Sequence, residues 1–398
     1  MDFVEEEPIE QDADNEELPE NMEEVPDESW VTLNGHSKDV FALAVSTDGK
    51  RLLSGGEDDL AVFWNLEEIG QNDNLPHIKI NEHSDSVVSV AFNGTNTLFS
   101  TADMSGKIQI FDAQTGEKMY DVDYCDDLEW TLWHPQADIL LAGTSSGQIY
   151  VFLLSKKQVE KVKTIITETN APCSAARLLP GAQNLLAIYG DGSVRLWALK
   201  DSSYSTLSLK GAATAVDVHP ELPLAAVGTE HGVTHLINTT NMKSVSRFGV
   251  VENAEEENSV ETIKFAPGYP WLAIGTNNGM LVVYDYETGQ ARHECAHDDM
   301  TVVKCAWWRP DADKIRILSA CIDGAIRCWD GKSGEPLLFK CGAAAELFDF
   351  TIATVNNIPL IFTACAGGLI RVFKYEESQI QVEEDHVEEN DVQQLEEL

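Results

Sequence analysis

The chain has 398 residues, 43% of them hydrophobic, and a formal charge of −40 from 27 Lys+Arg against 67 Asp+Glu. That apolar share is enough for a sizeable core and excludes wholesale disorder. The shortage of cations argues against nucleic-acid phosphates or an anionic membrane as direct partners, and favours a basic protein partner or plain solubility.

Residues 1–28 hold 14 carboxylates and no Lys or Arg. They show neither strand nor helix period and are expected to be disordered. With no basic n-region and no apolar run near Met1, and no apolar stretch of about 18 residues anywhere, the expectation is a soluble cytosolic or nuclear protein. Ser29–Leu33 has strand character.

From there the chain repeats. His134-Pro135, His219-Pro220 and Ala266-Pro267 are each followed, eight residues after the Pro, by Gly-Thr, at Gly143, Gly228 and Gly275. A further Gly comes four residues on, at Gly147, Gly232 and Gly279. The pattern reads loop, strand, tight turn, strand. Ile108–Asp112, Leu281–Asp285 and Ala325–Asp330 form the next strand, each Asp four residues before a hairpin Gly. Trp64, Phe111, Phe152, Trp197, Ile237, Tyr284, Trp329 and Phe373 mark that strand at intervals of 47, 41, 45, 40, 47, 45 and 44. A four-strand unit of roughly 40–45 residues is the period of a propeller blade, and eight markers predict eight blades. A ring of sheets removes its weak ends when its first segment completes its last sheet. Ser29–Leu33 is therefore expected beside Leu369–Phe373, with Gln379–Val382 as the alternative. Residues 375–398 hold 10 carboxylates and no Lys or Arg, a second acidic tail expected to be disordered. The predicted organisation is a tail over 1–28, a propeller over 29–374 and a tail over 375–398.

Trp329-Asp330 and its degenerate copies Trp64-Asn65, Phe111-Asp112 and Tyr284-Asp285, with Gly35-His36, resemble the WD-repeat family. The resemblance implies an all-β fold, an eight-bladed WD40 β-propeller. Thr101-Ala102-Asp103-Met104-Ser105-Gly106 and Asp127-Leu128-Glu129-Trp130 … Trp133-His134-Pro135 look like the angio-associated migratory cell protein family across about 30–375. So does Gly55-Gly56-Glu57-Asp58-Asp59. The fungal relative of that family is a dedicated chaperone for a new large-subunit ribosomal protein. The resemblance thus implies either such a chaperone or, from the animal branch, a signalling and cell-migration adaptor.

Two constellations combine Ser, His and Asp: His36, Ser54, Asp58 and Trp64 in blade one, and His297, Ser319, Asp323 and Trp329 in blade seven. In the WD family such residues resemble a structural tetrad, and two copies suit architecture rather than one active site. Blades three, four, five and eight lack the pattern and are expected to rely on packing. The eight cysteines contain no C-x-x-C pair and read as buried thiols, with no metal site and no cofactor.

Acid recurs at one place in the repeat. Aligning the first strands on Val40, Val87, Leu128, Val260 and Val303 puts Phe41, Val88, Glu129, Glu261 and Lys304 next. Aligning blade eight on Ala345 adds Glu346. With Glu57, Asp103, Glu230 and Asp323 in turns, and Asp298 and Asp299 in a loop, these residues predict a negative channel mouth. Trp130 either offers an aromatic face to Arg or fills core. The expected function is non-enzymatic: a monomeric scaffold capturing a basic protein or peptide client, a ribosomal protein segment in the chaperone reading.

Overall fold

The computed structural model describes residues 26–376 except 73, 168, 250–257, 298–299 and 343–344. Eight four-stranded antiparallel sheets follow one another, each meeting the next through its first strand, and the first strand of blade one meets that of blade eight. These inner strands are Val40–Val45, Val87–Phe92, Leu128–Trp133, Ala175–Leu178, Ala213–Val218, Val260–Phe265, Val302–Trp308 and Leu347–Val355. The ring is the predicted eight-bladed propeller, and all eight marker residues lie in third strands.

The sheets are held face to face by apolar side chains. The buried residues fall into eight clusters, one in each gap between neighbouring blades. Strand alternation supplies them: in Arg51–Gly56, for instance, every residue after Arg51 is buried, because both faces of this middle strand are covered.

Closure follows the first of the two alternatives. Val31–Asn34 pairs antiparallel with Leu369–Lys374, with Val31 opposite Val372 and Asn34 opposite Leu369. The amide of Trp30 donates to Val372 O, and the Lys374 ammonium lies over the Trp30 ring at 4.2 Å. The alternative strand Gln379–Val382 and most of both acidic tails lie outside the described residues.

Inner strands begin at one face of the wheel, which also carries the turns from second to third strands. One backbone bond repeats there in all eight blades. A residue one or two past each second strand donates its amide to a carbonyl one to three residues before each inner strand: Glu57 to Asp39, Met104 to Ser86, Ser145 to Asp127 and Gly190 to Pro172. Glu230 to Ala212, Asn277 to Ser259, Ile322 to Thr301 and Ala366 to Glu346 complete the series. This set gives an internal numbering for the mouth of the channel.

Candidate client-binding mouth

Most inner strands start with a β-bulge. In blade one Val40 faces Gly56 and Ala42 faces Gly55, so Phe41 is the extra residue. The bulge residues of blades two, three, five and six are Val88, Glu129, Thr214 and Glu261. The preceding residue goes into the gap between blades and is buried, as Val40, Val87 and Val260 show. The bulge turns the next side chain toward the channel. Glu129 and Glu261 accordingly stand exposed at the mouth.

Two expectations about this ring are corrected. Val302, not Val303, pairs with Cys321 as Val40 pairs with Gly56, so blade seven contributes Val303 there and Lys304 sits one step deeper. In blade eight Leu347 pairs with Cys365 and the bulge residue is Phe348. Glu346 instead occupies the place of Asp39 and Asp127, just outside the ring, where it is exposed. The physical reason is that two adjacent apolar residues both fit a strand start, and only the pairing register separates them.

The turns differ as well. Glu57 is at the mouth, 3.4 Å from the Lys38 ammonium. Glu230 is exposed and accepts the Ala212 amide at 2.8 Å. Asp103 is not part of this surface. It is completely buried, bonded to His83 Nδ1 at 3.0 Å, and accepts from the Ser84 amide and the Ser105 hydroxyl. His83 Nε2 in turn meets Thr101 Oγ1 at 2.8 Å. Blade two therefore has a polar network of its own that the sequence spacing hides, because Asp103 follows Thr101 by two residues whereas Asp58 follows Ser54 by four. Trp130 resolves to packing: its indole N–H donates to Cys173 O at 2.8 Å, and a Cβ on Gly143 would lie 2.3 Å from its ring. Asp298 and Asp299 lie outside the described residues.

The blade-one tetrad forms in full. The Trp64 indole N–H donates to Ser54 Oγ at 3.0 Å, and Ser54 Oγ meets His36 Nε2 at 2.8 Å. His36 Nδ1 lies 2.8 Å from Asp58. The carboxylate only accepts, so Nδ1 carries the proton and Nε2 accepts from the serine hydroxyl. Gly35 precedes His36 because a Cβ there would strike the Trp64 ring at 2.4 Å. Burial alone would push the Asp58 carboxyl up, but bonds from His36 and the Ser37 amide bring it below its ordinary value. The His36 imidazole is held down by burial, against the pull of Asp58.

Blade seven departs from this pattern. His297 Nε2 meets Ser319 Oγ at 2.7 Å, but Nδ1 faces Cys295 O at 2.9 Å. Asp323 instead binds Arg327 at 2.6 Å and accepts the Ala325 amide. The guanidinium four residues on competes for the carboxylate and wins, since it is a permanent cation with planar donors. His297, entirely buried and without that anion on its ring, is pushed down to about 4 by burial first and the Arg327 charge second. All eight cysteines are buried free thiols. Among the described residues no group of His, Cys, Asp or Glu is arranged to hold a metal ion.

Around the mouth stand Asp39, Asp85, Asp126, Asp127 and Glu346, beside Glu57, Glu129, Glu230 and Glu261, all exposed or half-buried. Glu129 is held above its ordinary carboxyl value, by burial and then by Asp127. The loops of this face offer few cations in return, chiefly Lys38 and Lys210.

Sequence comparison agrees with the repeat. Residues 28–65 and 75–112 match the model of the WD domain, G-beta repeat, and residues 201–382 match that of the Nucleolar protein 10-like, N-terminal domain. The angio-associated migratory cell protein of dog is 31% identical over 88% of this chain and 80% of its own length. The human protein is 30% identical over 88% and 81%. The chain belongs to the angio-associated migratory cell protein family. The yeast ribosome assembly protein SQT1 is 21% identical over 86% of this chain and 85% of its own. Among solved structures, Saccharomyces cerevisiae Sqt1 superposes with a TM-score of 0.77 at 19% identity, over 88% of this chain and all (100%) of that one. Chaetomium thermophilum Sqt1 bound to the N-terminus of ribosomal protein L10 superposes with a TM-score of 0.76, also at 19% identity, over 88% and 100%. At that identity the likeness is one of fold.

Proposed function

We propose that this family member is a non-enzymatic chaperone or assembly factor that holds a basic segment of a newly made ribosomal protein on its mouth face, in the cytosol or nucleus. The observation that carries the reading is the gathering of carboxylates at the mouth with little opposing charge. Such a field raises the capture rate of a Lys/Arg-rich segment and fades with salt. The Sqt1 relative bound to the N-terminus of ribosomal protein L10 supports it, as does the tetrad chemistry: each Ser and His here is spent on holding a loop to a strand. The client class is a basic peptide, and the protein acts as a monomer.

The test is titration of a labelled N-terminal peptide of ribosomal protein L10 at about 50 and 300 mM salt, roughly a doubling of screening strength. Glu129→Lys with Glu261→Lys should weaken binding at least tenfold at low salt. Glu160→Lys, exposed on the outer strand of blade three, should leave it unchanged. Equal affinity for all three proteins would overturn the reading. Salt-independent capture of a different partner from cytosol would favour the adaptor role instead.

A further inference from the structure

The bulge ring at the mouth is divided in two. Blades three, five and six contribute Glu129, Thr214 and Glu261, and blade four, which has no bulge, places Ser174 just before its inner strand in series with them, all polar. Blades seven, eight, one and two contribute Val303, Phe348, Phe41 and Val88, all apolar and half-buried. The four are consecutive around the ring, and Phe41 packs edge-on against Phe348 with centroids 5.4 Å apart. The loops above extend the same arc: Met104 is 49% exposed over blade two and Met300 47% exposed at the start of blade seven. Exposed methionines over a continuous arc of half-buried apolar side chains are a costly surface unless a partner covers them.

Charge also changes with depth. One step or more below the ring, a cavity of about 270 Å³ is lined by Arg177, Lys264 and Lys304 together with Glu261, Val303 and Phe348. Asp217 lies 3.5 Å from Lys264 and 3.9 Å from Arg177, and Asp349 lies 2.5 Å from Lys304. Three cations against Glu261, Asp217 and Asp349 leave this belt close to neutral, without the negative sign of the mouth, so a cationic segment gains little by threading deeper.

We infer that the apolar arc Val303–Phe348–Phe41–Val88 is a second docking surface, and that its occupant is the apolar flank of a cationic, amphipathic polypeptide segment. This rests on the basic-client reading and adds its side-chain chemistry. Asp39, Glu57, Asp85 and Glu346 stand on the rim beyond the arc, where long Lys or Arg side chains reach carboxylates while their stems and apolar neighbours cover the floor. A purely basic segment leaves that floor wet. A purely apolar one leaves the carboxylates unpaired.

The experiment compares two synthetic peptides of equal length and charge on the full chain. One interleaves Leu and Phe with Lys and Arg; the other has Ser at every apolar place. The amphipathic peptide should bind at least tenfold tighter at about 150 mM salt, a gap of about 1.4 kcal/mol. Val88→Ser and Phe41→Ser should each close much of that gap without changing affinity for the Ser peptide. The peptide exchange alters nothing in the protein, so it decides the matter even where a variant folds poorly. Equal affinity for the two peptides, both salt-sensitive, would overturn the apolar arc and leave the basic-client reading standing. Failure of both peptides to bind at about 50 mM salt would overturn both readings.

Discussion

His297 and His36 hold the same place in their blades with different consequences for acid stability. An unfolded histidine takes up its proton near 6.5, whereas His297 in the folded chain resists until about 4. The unfolded state therefore binds more protons across that window, and stability falls as pH drops through it. With about 1.4 kcal/mol per tenfold change in proton affinity, the loss is on the order of 3 kcal/mol by pH 4. His36 shifts in the same direction. Asp58 and Asp103 are held below their ordinary values, so their contribution is intact above the carboxylate range and is lost only below it. Urea denaturation at pH 7.5 and pH 5 should show a clear drop in midpoint, and His297→Gln should shrink that drop while lowering stability at pH 7.5. An unchanged drop in the variant would assign it elsewhere. The two Asp residues of the predicted tetrads should also part company. Asp58→Ala strands His36 Nδ1 and the Ser37 amide and should cost about 1–3 kcal/mol at neutral pH. Asp323→Ala strands the half-buried Arg327 cation instead, so pairing it with Arg327→Met should recover much of its loss. Glu129 is raised by its surroundings, so its affinity for a cation should climb as pH rises through the carboxylate range. Glu129→Gln should flatten that profile in the peptide titration.

At the scale of strands and blades, the sequence was legible wherever a repeated marker survived. The Pro-to-Gly-Thr spacing and the large apolar marker of each third strand, aromatic in all but Ile237, define eight units, because a turn needs its Gly and a strand buried on both faces needs its apolar run. What the spacing did not carry was register at strand starts. Val302-Val303 offers two equivalent β-branched residues, and only the pairing with Cys321 decides which one is buried. Blade eight has no Gly-His pair before Leu347, so spacing alone sets Glu346 one ring too far in. Asp103 escaped notice as a network residue for a related reason: its carboxylate reaches His83 from a position two residues earlier than Asp58 reaches His36. The apolar half of the mouth was hidden because Phe41, Val88, Val303 and Phe348 read individually as ordinary strand residues. The closing strand is the element whose loss should matter most. Val31–Asn34 covers Leu369–Lys374, whose outer edge would otherwise present unpaired backbone to solvent, and Leu33 is buried between blades eight and one. Trp30→Pro removes the amide that donates to Val372 O at the start of this strand. It should lower the thermal midpoint by several degrees, broaden the transition and expose blade eight to protease first. A sharp, unshifted transition would mean that the strand is dispensable.

For the whole molecule, the path of the chain puts the two ends of the described residues, 26 and 376, at opposite faces. The last inner-to-outer pass of blade seven, Pro336–Cys341, climbs toward the mouth face. Asp27 bridges Gly342 antiparallel to it, the Glu28 amide donates to Cys341 O, and Asp27 binds Arg371 at 2.9 Å. An antiparallel partner of a climbing strand descends, so residues 26–28 come down from the mouth side before Trp30 turns the chain up into the closing strand. Residue 26, preceded in the sequence by twelve carboxylates and no Lys or Arg, thus stands on the mouth side of the Asp27–Gly342 bridge. At the other end Leu369–Lys374 descends, and the Tyr375 amide donates to Pro359 O on the opposite face. Tethered charge acts within about a Debye length, about 8 Å at physiological salt, plus the reach of the tail. Both tails carry a comparable acidic load, so position is what separates them. Deleting residues 1–25 should slow association of a basic peptide several-fold at low salt, with dissociation nearly unchanged. Deleting 377–398 should leave the association rate within about twofold, because the described chain ends at the face away from the encounter. Stopped-flow fluorescence on the two truncations and the full chain, at two salt concentrations, measures both rates. Equal slowing by the two deletions would show that net charge alone steers the client, and that the descent past Gly342 merely anchors the fold.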